Sequence, residues 1–124
     1  MENNQQQLLI ETQFEDLTLY VRPDETHEWL METRLVAEGY GVSKNAIQKH
    51  FQRNSEEFIL EKHFVTMDNL SIVGAKSNQL FWTKRGVIRL GFFIKSARAK
   101  LFRDWAEDLI IRELVFNSNN FITI

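Results

Sequence analysis

Residues 33–53, TRLVAEGYGVSKNAIQKHFQR, constrain the fold more than any other stretch of the chain. Their spacing predicts a helix-turn-helix, two short helices joined by a tight turn, with the second available to enter a DNA groove. Ala37 is small where the two helices would approach closely. Gly41 falls in the turn, where a left-handed backbone would penalise any residue with a Cβ. Ile47 is the apolar residue of the second helix that plugs back onto the first, and Val36, Tyr40 and Val42 complete the core of the unit. Thr33 can cap a helix over 34–38 that Gly39 ends, and Ser43 can cap a second helix over 44–52.

With Ile47 and Phe51 turned inward, Lys44, Asn45, Gln48, Lys49, Gln52 and Arg53 lie largely on the outer face of that second helix. Amides can pair with adenine edges, and cations suit guanine or phosphate. No acid occurs from Gly39 to Ser55. A solvated helix usually mixes charge signs, with Glu supporting Lys one turn away. An ordinary basic surface helix is the competing reading.

At 124 residues and 44% hydrophobic, with ten Phe and three Trp, the chain suits one domain with a proper core. It has no Cys, which excludes disulfides and thiolate metal sites. No apolar run approaches the roughly 20 residues of a membrane span. The N-terminal MENNQQQ lacks the basic-then-apolar pattern of a secretory signal, so a cytoplasmic protein is expected, at the nucleoid if bound to DNA. The net charge of −2 argues against nucleic acid, but its distribution does not. The first 38 residues hold nine acids against Arg22 and Arg34. From Asn69 to Arg103 there is no acid, while Lys76, Lys84, Arg85, Arg89, Lys95, Arg98, Lys100 and Arg103 accumulate. Such polarity suits a polyanion, head-to-tail assembly or an acidic protein partner.

The order of elements predicts an α+β fold, small β-hairpins packed with a helix-turn-helix-like unit and two C-terminal helices, in one domain over 1–124. Strands are expected at 8–11, 17–22 and 27–32, with Pro23-Asp24 as the turn and Trp29 and Met31 on one face. Ser55 should cap a short helix to about residue 61. Strands at 63–67 and 79–82 flank a loop that would form a wing or a mobile connection. Thr83 should cap a helix over 84–94 whose Gly86 and Gly91 permit close packing. Ser96 should cap a longer helix to residue 116, with Leu101, Phe102, Trp105, Leu109 and Ile110 in the core. Residues 1–7 and 117–124 are expected to be flexible ends.

The stretch 80–113, LFWTKRGVIRLGFFIKSARAKLFRDWAEDLIIRE, resembles the second half of the Bro-N domain. That domain stands at the N-terminus of phage antirepressors and baculovirus Bro proteins. The resemblance rests on an aromatic strand ending at Thr83, on Gly86 and Leu90, on a turn led by Ser96, and on Ala99, Phe102 and Trp105 in A-x-x-F-x-x-W spacing. The first half agrees in order, with a hairpin bearing Trp29 and then Ala37, Gly39 and Tyr40, so that the likeness covers about residues 17–113. Thr33 stands where Bro-N usually has the Asp of a D-V-A-type motif, and residues 109–113 lack the family's Pro. Members normally carry a second, C-terminal domain, of which no segment is legible in the present sequence.

The resemblance implies binding of double-stranded DNA in phage or prophage gene regulation. Lys44, Asn45, Gln48, Lys49 and Gln52 would then meet base edges or groove walls. Ser43 and the first amides of its helix would hold a phosphate. Arg34, Arg53, Lys84 and Arg85 are candidate backbone clamps, the last two equally readable as an ordinary solvated pair. One short helix reads few bases, so specificity favours a homodimer or a companion domain.

Catalysis is not expected. His27, His50 and His63 lie far apart, with no second ligand at close spacing, so no metal is expected. Asp104, Glu107 and Asp108 have bases one turn away in Lys100, Arg103 and Arg112. No phosphate loop, nucleophile elbow or H-E-x-x-H occurs, and neither a cofactor nor a small-molecule substrate is implied. The alternative is a protein-interaction module that binds a repressor or other regulatory protein without touching DNA, with the helix-turn-helix-shaped unit as docking surface or the acidic half engaging a basic partner.

Overall fold

Alternating apolar and polar residues build a meander at the start of the chain, whose computed structural model describes residues 9–67 and 79–111. Strands β1 (Ile10–Phe14), β2 (Leu17–Asp24) and β3 (Glu28–Glu32) pair antiparallel in sequence. Leu19 and Val21 are buried while Tyr20 between them is exposed, as period-two alternation requires. The β2–β3 turn is set by Asp24, whose carboxylate accepts from the amides of Thr26 at 3.1 Å and His27 at 2.9 Å. Pro23 lies at the end of β2, beyond the pairing with β1.

The chain then leaves the sheet for α1 (Thr33–Tyr40) and α2 (Lys44–Arg53), followed by a 3-10 turn at Ser55–Glu57 in place of the expected longer helix. It returns through β4 (Phe64–Met67) and β5 (Gln79–Thr83) and closes with α3 (Lys84–Leu90) and α4 (Ala99–Asp108). The five strands lie in the order β1-β2-β3-β5-β4, every pair antiparallel, so the expected α+β architecture is present. The loop read as a wing, residues 68–78, and the two chain ends fall outside the described residues.

The helices cover one face of the sheet. Trp29 and Met31 of β3 and Trp82 of β5 pack there against Val36, Ala37 and Tyr40 of α1, Ile47 of α2, Val87 and Leu90 of α3 and Phe102 of α4. Leu30, Val65 and Phe81 form a smaller cluster, set off from the first by the alternation of β3, β4 and β5. Each of the three indoles has an acceptor: Trp29 on the Leu109 carbonyl, Trp82 on the Thr33 hydroxyl and Trp105 on the Gln13 carbonyl.

Several helix ends differ from the sequence expectation, most of them for a tertiary reason. Thr33 does not cap α1: it is the first helical residue, and its hydroxyl accepts from Trp82 at 3.0 Å. Gly39 does not end α1 either. It lies inside the helix, where a Cβ would sit 2.2 Å from the Phe102 ring, so its bareness serves packing rather than termination. Ser96 does not cap α4, because its hydroxyl donates to the Tyr40 carbonyl at 2.6 Å and the helix starts at Ala99. The same helix stops at Asp108 instead of reaching residue 116. Beyond it the Leu109 carbonyl takes bonds from Trp29 and Lys84, Ile111 N–H donates to Glu28, and the Ile111 side chain enters the core. Leu101, expected inside, is exposed, since α4 buries the stripe Ala99, Phe102 and Ala106; Ile110, also expected inside, lies past the helix end and is exposed. Helix α3 ends at Leu90 because Gly91 to Phe93 form a turn.

Candidate nucleic-acid interface

The turn between α1 and α2 is built by hydrogen bonds that only one backbone conformation allows. Gly41 adopts φ 72°, in the left-handed region. Its N–H donates to Glu38 at 3.1 Å, and that of Val42 to Ala37 at 3.0 Å, the paired closure of a Schellman motif. Ser43 then caps α2, its side-chain oxygen accepting from the Ala46 amide at 3.0 Å. Replacing Ser43 by Ala should lower stability by about 1 kcal/mol, read as a reduced denaturation midpoint with an unchanged slope.

Helix α2 is held down by few residues. Ile47 is the one member it buries fully; Phe51, half-buried, makes edge contacts with Phe58, Phe64 and Trp82 at centroid distances of 5.0 to 5.6 Å. Lys44, Asn45, Gln48, Lys49, Gln52 and Arg53 are all exposed, and none has a hydrogen-bond or ion-pair partner among the described residues that involves its side chain. These six sequence candidates therefore share one surface. His50 adds no charge to it near neutral pH, since burial and then the neighbouring Arg53 lower its pKa. Arg34, in the first turn of α1, is also exposed but is shared between Glu38 at 3.3 Å and Glu32 at 3.7 Å.

Lys84 and Arg85 stand elsewhere. They line a groove with Asp24, Glu25, Glu28, Glu61 and Lys62 that includes no residue of α2. Lys84 is tied down there, with its ammonium 3.4 Å from Glu28 and 3.3 Å from the Leu109 carbonyl. The acid-free segment as a whole serves the fold more than sequence reading expects. Lys84 and Arg98 pair with Glu28 and Glu15, joining the two charge-biased segments, and Arg89 pairs with Glu57 between them. The Lys100–Asp104 pair forms at 2.7 Å, whereas Arg103 lies over the Phe92 ring at 4.6 Å.

One titratable cluster has no counterpart in the sequence reading. His63 is 3% exposed, and two N–H groups point at its ring: Ile59 at Nδ1, 3.0 Å, and Arg89 at Nε2, 3.1 Å. A neutral imidazole has a single bare nitrogen, so it satisfies one donor at a time, and an imidazolium satisfies neither. Glu57 anchors the same guanidinium at 2.7 Å. Burial pushes the His63 pKa down, reinforced by Arg89, Lys62 and Arg85 and opposed by Glu57. The unfolded chain thus takes up this proton first. The contribution of His63 to stability is complete above about pH 6.5 and is lost as pH falls from there through the depressed folded value. Thermal melts taken downward from about pH 7.5 should fall more steeply for the parent chain than for His63→Gln. Parallel slopes would show that His63 does not carry this loss.

Among the described residues, no group of three or more His, Asp or Glu is placed to hold a metal ion, and no helix is long and apolar enough to cross a membrane. What converges instead is the outer face of α2: a capped, exposed, acid-free helix surface of cations and amides. Comparison with protein-family models, with curated proteins and with solved structures finds no match to the chain.

Proposed function

We propose that this chain is a Bro-N-like, sequence-specific double-stranded DNA-binding domain of a phage or prophage antirepressor-type transcription regulator, with α2 in the major groove. The observation that carries the DNA reading is the exposed face of α2, whose Lys44, Lys49 and Arg53 lack acidic partners among the described residues. A helix with one fully buried residue and an unneutralised outer face has the shape and charge to enter a groove lined by phosphates. The Bro-N assignment is supported by the sequence resemblance over residues 17–113.

On this reading Lys44, Asn45, Gln48, Lys49 and Gln52 approach base edges and groove walls. Arg53 and Arg34 serve the sugar-phosphate backbone. The ion pairs of Arg34 are solvent-exposed and therefore weak enough to exchange for phosphate. Ser43 sits where the first amides of α2 face an anion. Lys84, held by Glu28 and a carbonyl, is not assigned a contact, and neither is Arg85 beside it. A homodimer or a companion domain would extend the footprint beyond one short helix.

The test is a fluorescence-anisotropy titration against mixed-sequence duplex DNA at several salt concentrations. A linear fall of log affinity with log salt, by about 0.9 per phosphate contacted, is the expected result. Absence of binding even at low salt would remove the DNA reading and leave the protein-interaction module.

A further inference from the structure

The segment that joins α3 to α4 is tied to the turn of the helix-turn-helix. The Ser96 hydroxyl donates to the Tyr40 carbonyl at 2.6 Å. Two residues on, the Arg98 side chain passes so close to Gly41 that a Cβ there would stand 3.0 Å from its Cδ. Ile94 roots one end of the segment in the core and Ala99 the other. Lys95, between Ile94 and Ser96, is exposed. Its backbone is thus fixed beside the end of α1, and Tyr40 stands only three residues before Ser43, the cap of α2.

The cations of this segment and of the α4 start differ in their engagements. Arg98 is held by Glu15 at 3.5 Å and Asp16 at 4.0 Å, with its guanidinium 5.3 Å from the centre of the Phe14 ring. Lys100 pairs with Asp104 at 2.7 Å. Lys95 has no ion-pair or hydrogen-bond partner among the described residues. A lysine on an anchored backbone suits phosphate as a point charge, because its own stem supplies the only adjustment needed. With α2 in a major groove about 12 Å wide, the start of that helix lies against the strand that walls the groove.

We infer that Lys95, on the α3–α4 connection, is a phosphate contact that extends the α2 surface past the helix-turn-helix turn, its ligand being the sugar-phosphate backbone of duplex DNA beside the start of α2. This rests on the DNA reading above and adds a second element of the fold to the interface.

The test titrates mixed-sequence duplex DNA into Lys95→Ala and Lys100→Ala at several salt concentrations, beside the parent chain. Lys95→Ala should weaken binding about sevenfold at about 0.1 M salt and flatten the logarithmic salt slope by about 0.9. Lys100→Ala removes the same charge and should change neither. Acetylation of the unaltered chain with acetic anhydride, read by mass spectrometry, should be slowed by duplex at Lys95 and not at Lys62, which lines the groove away from α2. This readout decides the matter even if the variant fails to fold. An unchanged slope in Lys95→Ala, an equal loss in Lys100→Ala, or no protection of Lys95 would overturn the contact and leave DNA binding by α2 standing. Failure of the parent chain to bind any duplex at low salt would overturn both.

Discussion

Replacing Lys44 and Lys49 together by Ala is expected to weaken binding to mixed-sequence duplex by about 50-fold at about 0.1 M salt. Each cation that neutralises a phosphate releases a counterion worth about 0.9 in the logarithmic salt slope, so the slope should flatten by about 1.8. The fold should be indifferent. Both side chains are exposed, neither has a partner among the described residues, and Ala is at least as good a helix former. Thermal melts should therefore superimpose on those of the parent chain. Full affinity in the double variant would show that DNA, if bound, is bound by another surface.

Gly86→Ala is expected to have the largest effect on stability. A Cβ at this position of α3 would sit 1.8 Å from the His63 carbonyl oxygen, 2.8 Å from its carbon and 2.9 Å from the Trp82 ring. The first two are backbone atoms that no rotamer change can move. Helix α3 would have to lift from the turn that leads into β4. Overpacking of this kind costs about 3 kcal/mol, more than the roughly 1 kcal/mol that Ala gains over Gly in a helix. The melting midpoint should fall on the order of 10 °C, followed by circular dichroism. A change of less than about 2 °C would contradict so close an approach of α3 to His63.

What was legible in the sequence was local. Gly41, Ser43 and Ile47 declare the helix-turn-helix because a left-handed turn, a cap and an inward apolar residue act within one turn of where they stand. Among the described residues, periodicity gives the order of strands and helices but not their bounds: the strand expected at 8–11 is β1 at Ile10–Phe14, and α3 and α4 end at Leu90 and Asp108. Hydroxyls misled where a distant partner claimed them. Thr33 and Ser96 have the chemistry of caps, but Trp82 and the Tyr40 carbonyl engage them across the fold. Gly39 looks like a helix end because its true constraint, the Phe102 ring, lies on α4.

The candidate surface was legible in the same proportion. The outer face of α2 can be drawn on a helical wheel, and the structure brings all six of its predicted residues onto one surface. Lys84 could not be judged that way. Its partner Glu28 is 56 residues away in sequence, and only the docking of α3 beside the β2–β3 turn brings them together. The cluster of His63, Arg89 and Glu57 was invisible for the same reason. Charge counted along a chain overstates what is offered to a ligand when opposite charges meet in the fold.

The most direct measurement of where the ligand docks is a two-dimensional amide spectrum of the 15N-labelled chain, recorded while duplex DNA is added. The proposal predicts shifts and broadening centred on Ser43 to Arg53, fading along α1, with the β2–β3 turn and the start of α3 unmoved. Perturbation centred on Asp24 to Glu28 and Lys84 to Arg85, or a spectrum that does not change, would contradict it.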